Sequence, residues 1–241
     1  GITLRGKRGC WPVITSLVPK PEKDRAILAI QGPRTTVERL VLLKLDPLPG
    51  SCLTPGEPGT YIANLLLMFA SGPQGFAVRS WFPGPFNAPG ELRNCLIIGP
   101  CHTPPSQINN CIFRGPGSVE LGFPIKMFTC TLDTDLSIQY ESNHTIENCL
   151  ARNIFLPRDP PPIIRHCVTF GQNPPPPEAK DSFLANPMFR DPANLDYRLM
   201  PGSPCIGKAS DGGDIGCRYT PEMMELINVA LELRRRGIIK F

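Results

Sequence analysis

The chain has 241 residues, of which 41% are hydrophobic and 19% charged, so it should fold around a substantial core. Thirty prolines and 22 glycines argue for a turn-rich β protein and against a framework of long helices. A formal charge of +4 is too mild for a nucleic-acid partner, and no apolar run reaches the roughly 18 to 20 residues of a membrane-spanning helix, so neither is expected.

The chain opens at Gly1 inside a strand-like stretch, Ile2-Thr3-Leu4, with no initiator Met and no signal peptide, as expected of a processed or trimmed product whose export signal lies outside this sequence. Two short apolar runs follow, Glu38-Arg39-Leu40-Val41-Leu42 and Ala63-Asn64-Leu65-Leu66-Leu67. Each places a polar residue before a leucine. The spacing of 25 from Leu40 to Leu65, and of 30 from Leu65 to Cys95, leaves room for Pro- and Gly-bearing loops at about 47–59 and 83–90. The aromatic group Trp81, Phe82 and Phe86 borders the second loop and is the candidate platform for stacking on sugar rings or another protein, with loop anchoring as the plainer alternative.

From Cys95 the same pattern continues with cysteine in place of leucine. Cys95, Cys111, Cys130, Cys149 and Cys167 fall at intervals of 16, 19, 19 and 18 residues, and the residue before each is polar, Asn in three of five. A period near 18 is too short for paired-helix repeats and suits one turn of a parallel β-helix, in which equivalent side chains stack into a column. The five thiols are therefore expected to form a buried structural ladder. Cys10, Cys52, Cys101, Cys205 and Cys217 lie outside it, and a bridge between Cys205 and Cys217 stays open. No C-x2-C pair occurs, so no metal site is expected.

Within the ladder, Asp133-Thr134-Asp135 places two carboxylates on one side of an extended segment, with Glu141 nearby. Asp133, Asp135 and Glu141 are the candidate acid–base residues or Ca²⁺ ligands; the plainer alternative is a polar turn after the Cys130 strand. Beyond Ca²⁺ no cofactor is expected. His144 sits in Asn143-His144-Thr145, formally a glycosylation acceptor.

From Asn186 the chain reads Asn-Pro-Met-Phe-Arg-Asp-Pro, then Asp196-Tyr197-Arg198-Leu199-Met200-Pro201-Gly202-Ser203-Pro204-Cys205-Ile206, and then Asp214-Ile215-Gly216. Residues 196–199 alternate as a short strand and Pro201 to Pro204 force a turn. The segment 186–217 is expected to seal one end of the solenoid. After it, Thr220 as N-cap, Pro221 at the first helical position and Gly237 as a stop bracket an amphipathic helix. Its stripe, Met223, Leu226, Ile227, Ala230 and Leu231, docks either on the protein's own body or on a partner.

The stretch from Asn186 to Gly216 resembles the closing segment of bacterial right-handed parallel β-helix repeat proteins of the pectate-lyase-like superfamily, where NPxFxDP, DYxLxPGSPxI and DIG follow in that order. The resemblance implies an all-β, right-handed, single-stranded parallel β-helix over 1–219, with the C-terminal helix and tail over 220–241. Enzymes of that superfamily act on polysaccharides through clustered aspartates or Ca²⁺ with a basic residue. The hydrolase motifs NTD, DD, GHG and RIK and the lyase motif RxPxxR are absent here, so no catalytic residue is carried over.

The expectation is therefore a noncatalytic surface or assembly protein, extracellular, on a cell surface or in a virion, presenting loops to protein partners or to further copies of itself. The alternatives are a polysaccharide lyase or glycoside hydrolase of that superfamily, and a passive glycan-binding module.

Overall fold

A computed structural model describes residues 3–8, 10–15, 28–30, 35–44, 53–55, 60–69, 80–81, 90–99, 101–102, 106–122, 124–138, 143–156 and 161–241. These form a parallel β-solenoid with rungs of about 18 residues and one C-terminal helix. Each full rung runs through three short strands separated by corners. In one rung these are Gln107–Asn109 followed by the long strand Ile112–Leu121, which bends between Arg114 and Ser118 and so serves two faces. The next rung repeats this with Lys126–Phe128 and Thr131–Ile138, in parallel register.

Three parallel sheets result. The first stacks Thr3–Arg5, Thr36 to Glu38, Thr60 to Ala63, Gly90–Arg93, Gln107–Asn109, Lys126–Phe128, Thr145–Glu147 and Ile163–Arg165. The second stacks Val13–Thr15, Val41 to Leu43, Leu66 to Met68, Leu96–Ile98, Ile112 to Arg114, Thr131 to Asp133, Leu150–Ala151, Val168–Thr169 and Phe183–Leu184. The third includes Cys101–His102, Val119–Glu120, Leu136–Ser137 and Ile154–Phe155.

The corner between the first and second sheets explains the polar-then-cysteine pattern. Arg39, Asn94, Asn110, Thr129, Asn148 and His166 all have φ between 49° and 58°. This left-handed conformation turns the chain inward in one residue, and Asn tolerates it better than other side chains because its amide bonds locally. The next residue, Leu40 or a ladder cysteine, then points into the interior. Every ladder thiol is buried and donates to the carbonyl two residues back, at 3.2 to 3.3 Å. A small side chain with a weak donor suits that corner, because the turned carbonyl faces inward. The column runs on past Cys167 to Ser182, whose hydroxyl makes the same bond to Lys180 O (2.9 Å) after a left-handed Asp181. The sequence reading ended the ladder one rung early, since Ser182 carries no sulfur to mark it.

Two further segments are placed by the structure. The segment 186–217 runs back along the outer face of the second sheet. Cys205, Ala209 and Ile215 pack on Leu150 and Val168, and Leu195 and Tyr197 join Leu96, Ile98 and Ile112. The reason lies in runs such as Leu40-Val41-Leu42-Leu43 and Leu96-Ile97-Ile98. They are apolar on both sides of the strand, so the outer face needs a cover as much as the inner one. The helix Pro221–Arg235 completes that cover. Met223, Leu226, Ile227, Ala230 and Leu233 are buried against Val41, Leu43, Leu96, Ile98 and Ile112, and Leu231 is half-buried. The stripe left open between partner and body lies on the protein's own body. Thr220 caps the helix, its Oγ1 accepting from Met223 N (3.3 Å), and Gly237 (φ 72°) ends it.

Cys205 and Cys217 are both free thiols in separate clusters, so no bridge joins them; Cys10 is exposed and Cys101 buried, and Cys52 lies outside the described residues. Among the described residues no helix is long and apolar enough to cross a membrane.

Candidate functional site

Asp133 and Asp135 do project from the same side of the strand Thr131–Ile138, with Leu132, Thr134 and Leu136 buried between and beside them. What surrounds them was not anticipated. Arg114, Asp133 and Arg152 stand one above another on successive rungs, each 19 residues from the next. Arg152 Nη2 lies 2.5 Å from Asp133 Oδ1, and Arg114 Nη1 lies 3.4 Å from Oδ2. Tyr197, from the covering segment, donates its hydroxyl to the same Oδ2 at 2.8 Å and accepts from Arg114 at 2.8 Å. Arg114 also donates to Pro192 O, in the same covering segment.

The geometry depends on an irregularity. Gly115, Pro116 and Gly117 oppose a single residue of the next strand, Thr134, whose hydroxyl donates to Gly117 O. This bulge bends the strand around the corner and leaves Arg114 at its lip, aimed at the covering segment. Gly115 (φ 136°) tolerates no side chain, because a Cβ there would lie 2.8 Å from Gly99 N.

The electrostatics follow from this saturation. One carboxylate meets two guanidinium groups and a phenol, and its side chain is only 15% exposed. The Tyr197 hydroxyl is pushed well above its ordinary range, first by burial and then by the Asp133 charge beside it. A phenol so held stays protonated and serves as a permanent donor. Asp135 accepts from Asn153 Nδ2 at 2.8 Å, and Asn153 in turn accepts from the backbone of Gln172 and Asn173. Chemically, this constellation clamps the covering segment onto the sheet. Both Asp133 oxygens are thereby engaged, and Asp135 is held through Oδ1.

The other candidates are dispersed. Trp81 ends the short strand Ser80–Trp81, beside Cys101–His102; Phe82, Phe86 and Glu141 lie outside the described residues. Arg165 is on the first sheet, 3.0 Å from Glu147, and His166 at its corner faces Lys208 O (3.2 Å). His144 is buried, with Nδ1 accepting from Ile125 N (3.3 Å), and burial lowers its pKa. Among the described residues no group of three or more His, Cys, Asp or Glu side chains converges as a metal site. Arg114, Arg152 and Tyr197 were missed, although the 19-residue spacing of Arg114, Asp133 and Arg152 is readable once the rung length is known.

The outward side of the first sheet carries a different pattern. Arg5 pairs with Glu38, Glu91 with Arg93 (2.6 Å) and Asn109 (2.7 Å), and Glu147 with Arg165 (3.0 Å), while Gln107, Lys126 and Ile163 stand exposed. It is a mixed-charge surface of stacked rungs, and among the described residues the covering segment packs on the second sheet instead.

No protein-family model matches the chain, and no curated protein matches it in sequence.

Proposed function

We propose that this protein is a noncatalytic surface or assembly component, a rigid β-solenoid that offers the outward side of its first sheet and its loops to protein partners or to further copies of itself. The observation that carries this reading is the saturation of Asp133. The best-placed carboxylate in the described chain is bound by Arg114, Arg152 and Tyr197 and lies beneath the covering segment. Activity would require breaking a contact that holds the fold together. Mixed-charge pairs along the first sheet support a contact surface, since alternating charges give register and specificity with little net field. Kinship with the pectate-lyase-like superfamily rests on the Asn186 to Gly216 motifs. An extracellular, cell-surface or virion setting is part of the same proposal, and burial of the ladder thiols shields them from oxidants there.

The deciding experiment combines sedimentation over a wide concentration range with a polysaccharide panel. Concentration-dependent assembly without turnover is expected. A strict monomer that degrades a polysaccharide, and loses that activity in Asp133→Asn while remaining folded, would replace this reading with the lyase or hydrolase one. Glycan binding without turnover would select the passive glycan-binding module.

A further inference from the structure

The ladder thiols have a property that their structural role does not use. Cys95, Cys111, Cys130, Cys149 and Cys167 are all buried, one per rung, each directly after the same left-handed corner and each bonded to the carbonyl two residues back, so their sulfurs repeat with the rungs. Five sulfur atoms thus form one unbroken file along the solenoid interior. The walls of that file are apolar: Leu92, Ile97, Ile108, Phe113, Met127, Leu132, Ile146 and Ala151 belong to the same cluster.

We propose that this file is a binding site for soft, two-coordinate cations of the Cu(I) and Ag(I) class, each seated between the sulfurs of successive rungs. The argument is one of matching lengths. Rungs of a parallel sheet stack at about 4.8 Å. Metal–thiolate bonds are about 2.3 Å, so a cation held linearly by two sulfurs spans almost that repeat. Thiolates select Cu(I) over harder ions, and the dry, apolar wall removes competing oxygen ligands and water. The same stack disfavours zinc, which needs four donors converging on one point.

Charge also balances. Each cation taken up displaces one thiol proton, so four cations along five sulfurs leave one proton on the file and bury no net charge. The bonds surrendered are the thiol-to-carbonyl contacts, including the longer ones to the preceding rung such as Cys111 to Leu92 O (3.6 Å), and thiols are weak donors. No electron is transferred, because the metal enters already monovalent.

The test titrates the reduced, full-length protein anaerobically with Cu(I) held by a competing chromophoric chelator, reading both the Cu(I) withdrawn and far-ultraviolet circular dichroism. Cys130→Ser cuts the file into two pairs of sulfurs and is expected to lower the uptake by two cations per chain. Cys167→Ser, at the end, should lower it by one, and Cys205→Ser, outside the file, should leave it unchanged. The end variant keeps the test decisive should the central one fail to fold. No withdrawal of Cu(I), equal losses from Cys205→Ser and Cys167→Ser, or uptake accompanied by loss of the strand signal would overturn the proposal.

Discussion

Asn110 and Arg218, 108 residues apart in sequence, hold each other by a reciprocal pair of bonds: Arg218 N donates to Asn110 Oδ1 at 2.6 Å, and Asn110 Nδ2 donates to Arg218 O at 2.7 Å. The contact is one of a series. Moving backward along the corner column, His166 meets Lys208 O, Asn148 exchanges bonds with Ser210 and Asn110 with Arg218, and Arg39 donates to the Glu225 carboxylate. Four of the six residues that turn the rungs thus also fasten the C-terminal segment over the second sheet, and the two Asn among them do so through both amide atoms.

Asn110→Ala should destabilise the protein by about 2–4 kcal/mol, since it removes two bonds to a partly buried backbone and places Ala in the left-handed region. Asn110→Gly restores the backbone freedom and should recover about 1 kcal/mol of that loss. Urea unfolding of the two variants against the parent checks both; equal losses would show that backbone conformation contributes nothing at this corner.

Thr129 occupies the same corner at φ 50° with a β-branched side chain, the least suited of the set. Thr129→Asn is expected to raise stability by about 0.5–1.5 kcal/mol. The readout is the unfolding midpoint at constant denaturant dependence.

For Asp133, Asp133→Asn leaves Arg114 and Arg152 facing a neutral amide under the covering segment. A cost of about 1–3 kcal/mol is expected, with Tyr197→Phe costing about 1 kcal/mol. A double-mutant cycle between the two should show coupling, and hydrogen exchange should quicken first in residues 189–199, where Phe189–Asp191 and Asp196–Leu199 pair. Additive effects would mean that Tyr197 and Asp133 are held independently.

His144 links stability to pH. Its pKa is lowered by burial, so the folded state resists protonation that the unfolded chain accepts at about 6.5. The stability it preserves is complete above that value and is lost as pH falls toward the depressed folded-state pKa. Protonation would also deprive Ile125 N of its acceptor. Unfolding curves between about pH 8 and pH 5 should show this decline, and the slope should flatten in His144→Gln.

Gly216 marks where the covering segment crosses the sheet most closely. An added Cβ would meet Leu150 Cδ1 at 2.6 Å and Thr131 Oγ1 at 2.9 Å, at φ 99°. Gly216→Ala should cost more than about 2 kcal/mol, measured by thermal unfolding, whereas Gly212→Ala, with open space around it, should cost only the backbone term of about 1 kcal/mol.

The sequence by itself determined the solenoid. A polar residue followed by cysteine at intervals of 16 to 19 residues is a one-dimensional signal, because each rung solves the same corner problem with the same local chemistry. The helix bounds were equally local, set by Thr220, Pro221 and Gly237. The path of residues 186–241 was decided only in three dimensions. Their motifs announce a closing segment but not which surface it closes, since that depends on the outer faces of strands up to about 190 residues earlier being apolar. The character of Asp133 was decided there too. Its carboxylate pair is visible in sequence as potential chemistry, and it takes the stacking of Arg114 below, Arg152 above and Tyr197 across to turn that carboxylate into a clamp. Repeats are written locally because backbone turns are local; the meaning of a charged side chain is set by what the fold brings to it.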